Sequence, residues 1–326
     1  MSIKNDHIIN IVCFAGKRGW VVRQRRRIRV LVNRRNVWAA ARGDTTQGKR
    51  DTVPDSGLQP LHDGPFDDSP HDRGWAGSES VIVRVLLWVF RWYHRHEVGG
   101  VLTPPPGPVL FVANHGFGGV FDLNVLAARS AYVRIGDPRG VITLTHHMAW
   151  VIGLGPILRR LGAEPATGEN ACRALGRGEH VLVFPGGDVD AFKSWGERNR
   201  VVFDGRTGFA RLAIEAAVPI VPVVTSGAGE SLICLSDGRG LARLLRLDKA
   251  LRLKCLPVTL SLPWGLTVGI AGLLPYIPLP TKIRTTVLPA MRPRPGESAA
   301  EFAERVRHAM QVELDRQTVR RIPLLG

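Results

Sequence analysis

Two stretches decide how this chain folds: PVLFVANHG, Pro108 to Gly116, and EHVLVFPGG, Glu179 to Gly187. Each is a short aliphatic run that turns abruptly into polar or glycine residues. Runs this short, rich in Val, Leu and Phe, read as strands buried on both faces, the pattern of a parallel sheet. Outward from the first, DLNVLAARSAY (122–132) reads as a helix, GVITLTHHM (140–148) as a strand and GLGPILRRLGA (153–163) as a short helix and turn. Around the second, ENACRALGRGE (169–179) is helical, GFARLAIEAA (208–217) is another helix and VPIVPVVTS (218–226) a strand. KIRTTVLPA (282–290) reads as a late strand, and AAEFAERVRHAMQVELDRQ (299–317) as a terminal amphipathic helix. Strands alternating with helices predict an α/β fold with a mainly parallel sheet flanked by helices. Sites in such sheets lie at the carboxyl ends of the strands, where both glycine-containing loops fall.

The first loop runs Asn114, His115, Gly116, Phe117, Gly118, Gly119, Val120, Phe121, Asp122. A histidine between a buried strand and a helix is placed to take a proton near neutral pH. Asp122 is the candidate to orient it: a carboxylate on one ring nitrogen fixes the tautomer and leaves the other nitrogen as base. The glycines, with Asn114, would let a substrate approach the backbone, whose N–H groups are candidates to bind an oxyanion. The second loop follows Val183 with Phe184, Pro185, Gly186 and Gly187, and then Lys193, Arg198, Arg200 and Arg206. A glycine turn bordered by cations suits phosphates. Lys193, Arg206 and Arg211 are the candidates for that role. The turn lacks the GK[ST] ending of a Walker loop and the GxGxxG pattern, and no GxSxG elbow occurs. Glu230 follows a strand and is expected to line the pocket. His146 and His147 read as core or interface residues, and no Cys/His cluster with metal spacing is present, so no metal is expected.

The chain has 326 residues, 44% hydrophobic and 22% charged, which is globular usage. Its 44 Lys+Arg against 28 Asp+Glu give +16, a preference for anionic partners. Residues 1–74 hold 14 basic and 8 acidic side chains, and the excess between Lys17 and Arg50 is followed by an acidic run from Asp51 to Asp72. With scattered Pro, Gly, Asp and Ser and little periodicity, 1–74 reads as a disordered extension, and 75–326 as the folded domain. No aromatics interleave with RQRRRIRVLVNRR (23–35), so it reads as a solvated tail and nucleic acid is not an expected partner. Four cysteines, at 13, 172, 234 and 255, suggest no disulfide framework and a reducing compartment. Residues 81–96, VIVRVLLWVFRWYHRH, read as a helix that packs on a core or lies in a membrane interface, too charged to span. Cys255 to Thr281 carries no charge, but prolines at 257, 263, 275, 278 and 280 argue against a spanning helix and for an irregular apolar surface that touches a bilayer.

The two loops together resemble a known family. VANHGFGGVFD resembles the NHxxxxD block of the glycerolipid acyltransferase superfamily, the lysophospholipid acyltransferase-like proteins. FPGGD is similar to the third block as it stands in the monoacylglycerol and diacylglycerol acyltransferase type-2-like branch, where Gly replaces Glu. GPILRRLGAEPA (155–166) resembles the second block and VPIVPVV (218–224) the fourth, in the family's order. One departure is the six residues between His115 and Asp122, where the family has four. The resemblance implies a glycerol-3-phosphate acyltransferase-like fold and a membrane-associated O-acyltransferase. Its co-substrate would be acyl-CoA, with no permanently bound cofactor, and its acceptor a neutral glycerolipid or other lipid alcohol. His115 would be the general base, and the protein would be peripheral or monotopic on the cytoplasmic face of a membrane. The alternatives are a lipid ester or thioester hydrolase using the same site and a non-catalytic membrane-binding protein.

Overall fold

The computed structural model describes the backbone of residues 11–16 and 19–24, and then residues 81–116, 122–146, 150, 155–246 and 255–326. The expected disordered extension lies outside the described residues apart from an antiparallel hairpin, β1 (Ile11–Gly16) and β2 (Gly19–Gln24). The body opens with α1 (Val81–Tyr93), β3 (Glu97–Gly100), β4 (Leu110–Ala113), α2 (Leu123–Ile135) and β5 (Val141–Thr145). It continues through α3 (Gly155–Arg160), β6 (Ala163–Pro165), α4 (Gly168–Gly176), β7 (His180–Val183) and α5 (Gly187–Ala191). Then come α6 (Gly208–Glu215), β8 (Ile220–Ser226), β9 (Ile233–Ser236), α7 (Arg239–Leu244), β10 (Val258–Ser261), β11 (Gly265–Val268), β12 (Arg284–Val287) and α8 (Ala299–Thr318).

Seven strands form the main sheet in the order β3-β12-β8-β4-β7-β5-β6. The run β8-β4-β7-β5-β6 is parallel throughout, and β12 joins β8 antiparallel, carrying β3 parallel to itself. The mainly parallel sheet expected from the sequence is therefore present. All four residues of β4 are buried, because the strand packs on both faces. Leu110 and Val112 join Ile142, Leu175, Phe209, Phe302 and Met310 in one core layer, beneath α4, α6 and α8. Phe111 and Ala113 point the other way, against Ala128, Tyr132 and Ile135 of α2. This period-two division explains why the sequence shows a continuous apolar run and no alternation.

Helix ends follow their sequence signals. Ser298 and Glu301 make a reciprocal capping box at the start of α8, and α2 ends at Gly136, which is left-handed at φ 68°. Cys172 on α4 is disulfide-bonded, which the cysteine spacing did not suggest. The apolar stretch 255–281 is more regular than expected. Its β10–β11 hairpin pairs with β9 in a separate three-stranded antiparallel sheet. Among the described residues no helix is long and apolar enough to cross a membrane.

Candidate active site

Because β8, β4 and β7 are parallel neighbours, the segments leaving their carboxyl ends meet at one edge. They bring Asn114–Gly116, Phe184–Gly187 and Gly227–Glu230 together. His115 sits at the centre. Its Nδ1 lies 2.7 Å from Asp122 Oδ2, and both side chains are largely but not wholly buried. The Phe184 ring stacks on the imidazole at 4.4 Å between centroids.

Asp122 fills two roles at once, one with each oxygen. Oδ2 faces the imidazole while Oδ1 accepts the Asn124 amide at 2.8 Å, capping α2. The six intervening residues thus still allow the pairing. With the Nδ1 proton donated to Asp122, Nε2 carries the ring's lone pair, the arrangement a general base requires.

The peptide of His115 is clamped from both sides by a buried ion pair. Its N–H donates to Asp190 Oδ2 at 2.6 Å, and its carbonyl accepts from Lys193 Nζ at 3.2 Å. Lys193 Nζ also donates to Asp190 Oδ1 at 2.7 Å and to the Arg200 carbonyl at 2.6 Å, while Val202 N–H donates to Asp190 at 3.1 Å. All three ammonium hydrogens are thereby committed, which leaves Lys193 no donor for a phosphate. Arg206 differs from expectation in a similar way. It donates to the carbonyls of Pro185 and Gly186 and pairs with Asp188 at 2.7 Å, so it braces the glycine turn. Arg211 is exposed on α6, and no described contact joins it to His115.

The candidate binding residues also resolve into packing roles. Asn114 is buried: its side-chain amide donates to Thr225 O and accepts from Thr225 N, both at 2.9 Å, and so ties β4 to β8 instead of facing a ligand. Gly116 is needed for close approach, since a Cβ there would stand 2.6 Å from Asn124 Oδ1 and 2.8 Å from Ala228. At Gly186 a Cβ would collide with Asp190 and the Val202 carbonyl. Gly187 N–H is used within the turn, to Phe184 O at 3.1 Å. Gly118, Gly119 and His147 lie outside the described residues, and His146 is exposed.

Glu230 does not line the pocket. Buried beside the His115 loop, it receives Arg321 through two hydrogen bonds of 2.7 and 2.9 Å, together with the Thr281 hydroxyl and the Leu324 amide. Burial works to raise its carboxyl, but Arg321, Leu324 and Thr281 together outweigh that and hold it below the usual carboxylate value. The C-terminal segment is thus fastened to the edge that carries the site. Sequence reasoning missed Asp190, Glu230 and Arg321 as supports. The i, i+3 spacing of Asp190 and Lys193 was the available signal.

The edge of a parallel sheet with a carboxylate-oriented histidine and a braced Pro-Gly-Gly turn defines a class. Residues 95–226 match the Acyltransferase family, and the chain is similar to lipid-synthesising enzymes of that kind. An uncharacterized protein of Mycobacterium tuberculosis is 34% identical over 63% of this chain and 54% of its own length. The DGAT1/2-independent enzyme synthesizing storage lipids of Gallus gallus is 27% identical over 63% of this chain and 59% of its own. Its Homo sapiens counterpart is 27% identical over 76% and 69%. The chain therefore spans little more than half the length of the first curated relatives it matches. Among solved structures, the 1-acyl-sn-glycerophosphate (LPA) acyltransferase PlsC of Thermotoga maritima aligns with a TM-score of 0.43 at 15% identity, over 73% of this chain and 82% of that one.

Proposed function

We propose that this chain transfers a fatty acyl group from acyl-CoA to the hydroxyl of a neutral glycerolipid or other lipid alcohol. The observation that carries the reading is the 2.7 Å pair of His115 Nδ1 and Asp122 Oδ2 within an acyltransferase-family domain. In this mechanism Nε2 of His115 takes the acceptor's hydroxyl proton as the oxygen attacks the thioester carbonyl. The carbonyl oxygen gains negative charge in the tetrahedral intermediate, and Asp122 stabilises the imidazolium that forms. Collapse of that intermediate breaks the C–S bond, and the imidazolium returns its proton to the leaving thiolate. No acyl-enzyme is required. Backbone N–H groups of the 116–119 segment are the proposed oxyanion donors, since those of His115 and Gly187 are already used.

The cations support a neutral acceptor. Lys193 and Arg206 flank the glycine turn, and each is matched by a carboxylate, Asp190 and Asp188 respectively. A lysophosphatidate would need an uncommitted cation there. The names of the storage-lipid relatives agree with a neutral acceptor. The exposed Trp88 and Trp92 of α1, with Arg84 and Arg91, support peripheral attachment to a membrane surface. The test is product analysis of the purified chain given mixed acyl-CoAs and candidate alcohols. Ester formation that needs both substrates and is lost in His115→Ala is expected. Release of free fatty acid at the same rate without an acceptor would overturn transfer in favour of hydrolysis.

A further inference from the structure

The two members of the pair belong to different parts of the fold. His115 follows β4 at the edge of the main sheet, whereas Asp122 caps α2, which packs on the sheet's face. Their 2.7 Å separation therefore depends on how the first turn of α2 is held against the end of β4. Ala128, Ala131 and Tyr132 of α2 pack on Phe111 and Ala113, and such apolar contact is non-directional, so it resists separation better than sliding.

One polar side chain supplies the missing direction. Asn124, in the first turn of α2 and 1% exposed, donates from Nδ2 to the Asn114 carbonyl at 2.6 Å, across ten positions of chain. Among the described residues this is the one side-chain hydrogen bond from that turn to the segment leaving β4. The carbonyl belongs to the peptide whose N–H is that of His115, given to Asp190 at 2.6 Å, so this peptide is held at both its polar atoms. The backbone N–H of Asn124 meanwhile donates to Asp122 Oδ1 at 2.8 Å. A single residue thus holds the peptide that leads into the base and the carboxylate that orients it.

The other end of the amide shows what the side chain is kept for. Oδ1 is buried without a hydrogen-bond partner, beside Gly116, where a Cβ would stand 2.6 Å from it. The flipped amide is closed, because it would set Oδ1 against the Asn114 carbonyl oxygen. An unpartnered buried acceptor is unfavourable, and a leucine would fill a similar space without one. Packing alone does not call for asparagine here, whereas the donated bond does.

We propose that Asn124 is the positioning residue of the His115–Asp122 pair, setting the distance and angle between imidazole and carboxylate through these two bonds. Its effect on rate rests on the proposed acyl transfer, whereas its effect on the geometry of the pair does not.

The experiment compares the whole chain with Asn124→Leu and Asn124→Ala by kinetics, melting and proton NMR of the imidazole. Asn124→Leu keeps the backbone cap and removes both the donor and the unpartnered oxygen. Losing that oxygen offsets losing the bond to Asn114, so melting should stay within about 4 °C of the wild type. Asn124→Ala, which cannot clash, is the second variant. The wild type should show a far-downfield Nδ1 proton, assigned by its loss in His115→Ala, as expected of an imidazole N–H donated to a carboxylate. In both Asn124 variants that signal should vanish or move upfield, and kcat per folded protein should fall by about 10²-fold, the cost of a misplaced catalytic group. KM for donor and acceptor should stay within about threefold, since neither substrate touches Asn124. An unshifted signal in a folded variant, or kcat within about threefold of the wild type, overturns the proposal. If the wild type forms no ester, the acyl-transfer reading fails, and the Nδ1 signal still decides whether Asn124 sets the pair.

Discussion

Lys193→Met removes the cation from the pair that clamps the His115 peptide while keeping a long, unbranched side chain. The ammonium lies 2.7 Å from Asp190 Oδ1, and both side chains are almost wholly out of solvent. In the variant, Asp190 remains buried with the N–H groups of His115 and Val202 as its partners. Leaving one member of a buried pair uncompensated costs about 3–5 kcal/mol. In a body of about 250 residues each kcal/mol moves the midpoint by ~2–4 °C, so melting should fall by roughly 6–20 °C. Asp190→Asn added to Lys193→Met removes both charges and should recover more than half of the loss, because replacing a whole buried pair is often close to neutral. Scanning calorimetry of the three proteins gives the ledger, and steady-state kinetics gives the complement. A lysine that bound CoA phosphate would raise KM for the acyl donor and leave the midpoint unchanged. Lys193→Met melting within about 2 °C of the wild type, well short of the loss expected from a broken buried pair, would refute the clamp.

Asp122→Asn separates the two roles of its carboxylate. Asn caps helices as well as Asp, so stability should hold within about 1 kcal/mol, while kcat falls by about 10²–10⁴ if the charge supports the imidazolium. Phe302→Ala, in the centre of one core layer, should cost about 3–5 kcal/mol in urea denaturation without a matching change in KM. Acid should destabilise the domain through buried neutral histidines. Burial, with nearby Arg91, depresses His96 to about 3, and burial also lowers His94 and His180. The unfolded chain then binds more protons below about pH 6.5, so His96's contribution is complete above that value. It is lost toward pH 3 at up to ~1.4 kcal/mol per pH unit. Urea midpoints between pH 7 and 5 should show this slope, and His96→Asn should flatten it.

The strands that build the site were legible because their burial is local information. β4 and β7 are covered on both faces, so each reads as an aliphatic run, and each ends where the polar loop begins. Their adjacency was not local. That β4 lies between β7 and β8 depends on packing across more than a hundred residues, and only that order brings Phe184 onto His115 and Thr225 onto Asn114. Prolines hid the second sheet for a different reason. The five between 257 and 280 all fall outside the strands, and four-residue segments, Val258–Ser261 and Gly265–Val268, fit between them.

The cations show most clearly where sequence runs out. A lysine and an arginine after a glycine turn have the composition of a phosphate seat, and the carboxylates that claim them, Asp188 and Asp190, are interleaved in the same segment. Charge counting cannot tell a seat from a brace, because the difference is whether each donor meets an internal acceptor. Once Asp190 meets both the ammonium of Lys193 and the amide of His115, the pair ceases to be a binding feature and becomes part of what fixes the base. The two oxygens of Asp122 carry the same lesson in reverse. A carboxylate at the head of a helix can cap that helix or orient a neighbouring base, and Asp122 has one oxygen for each.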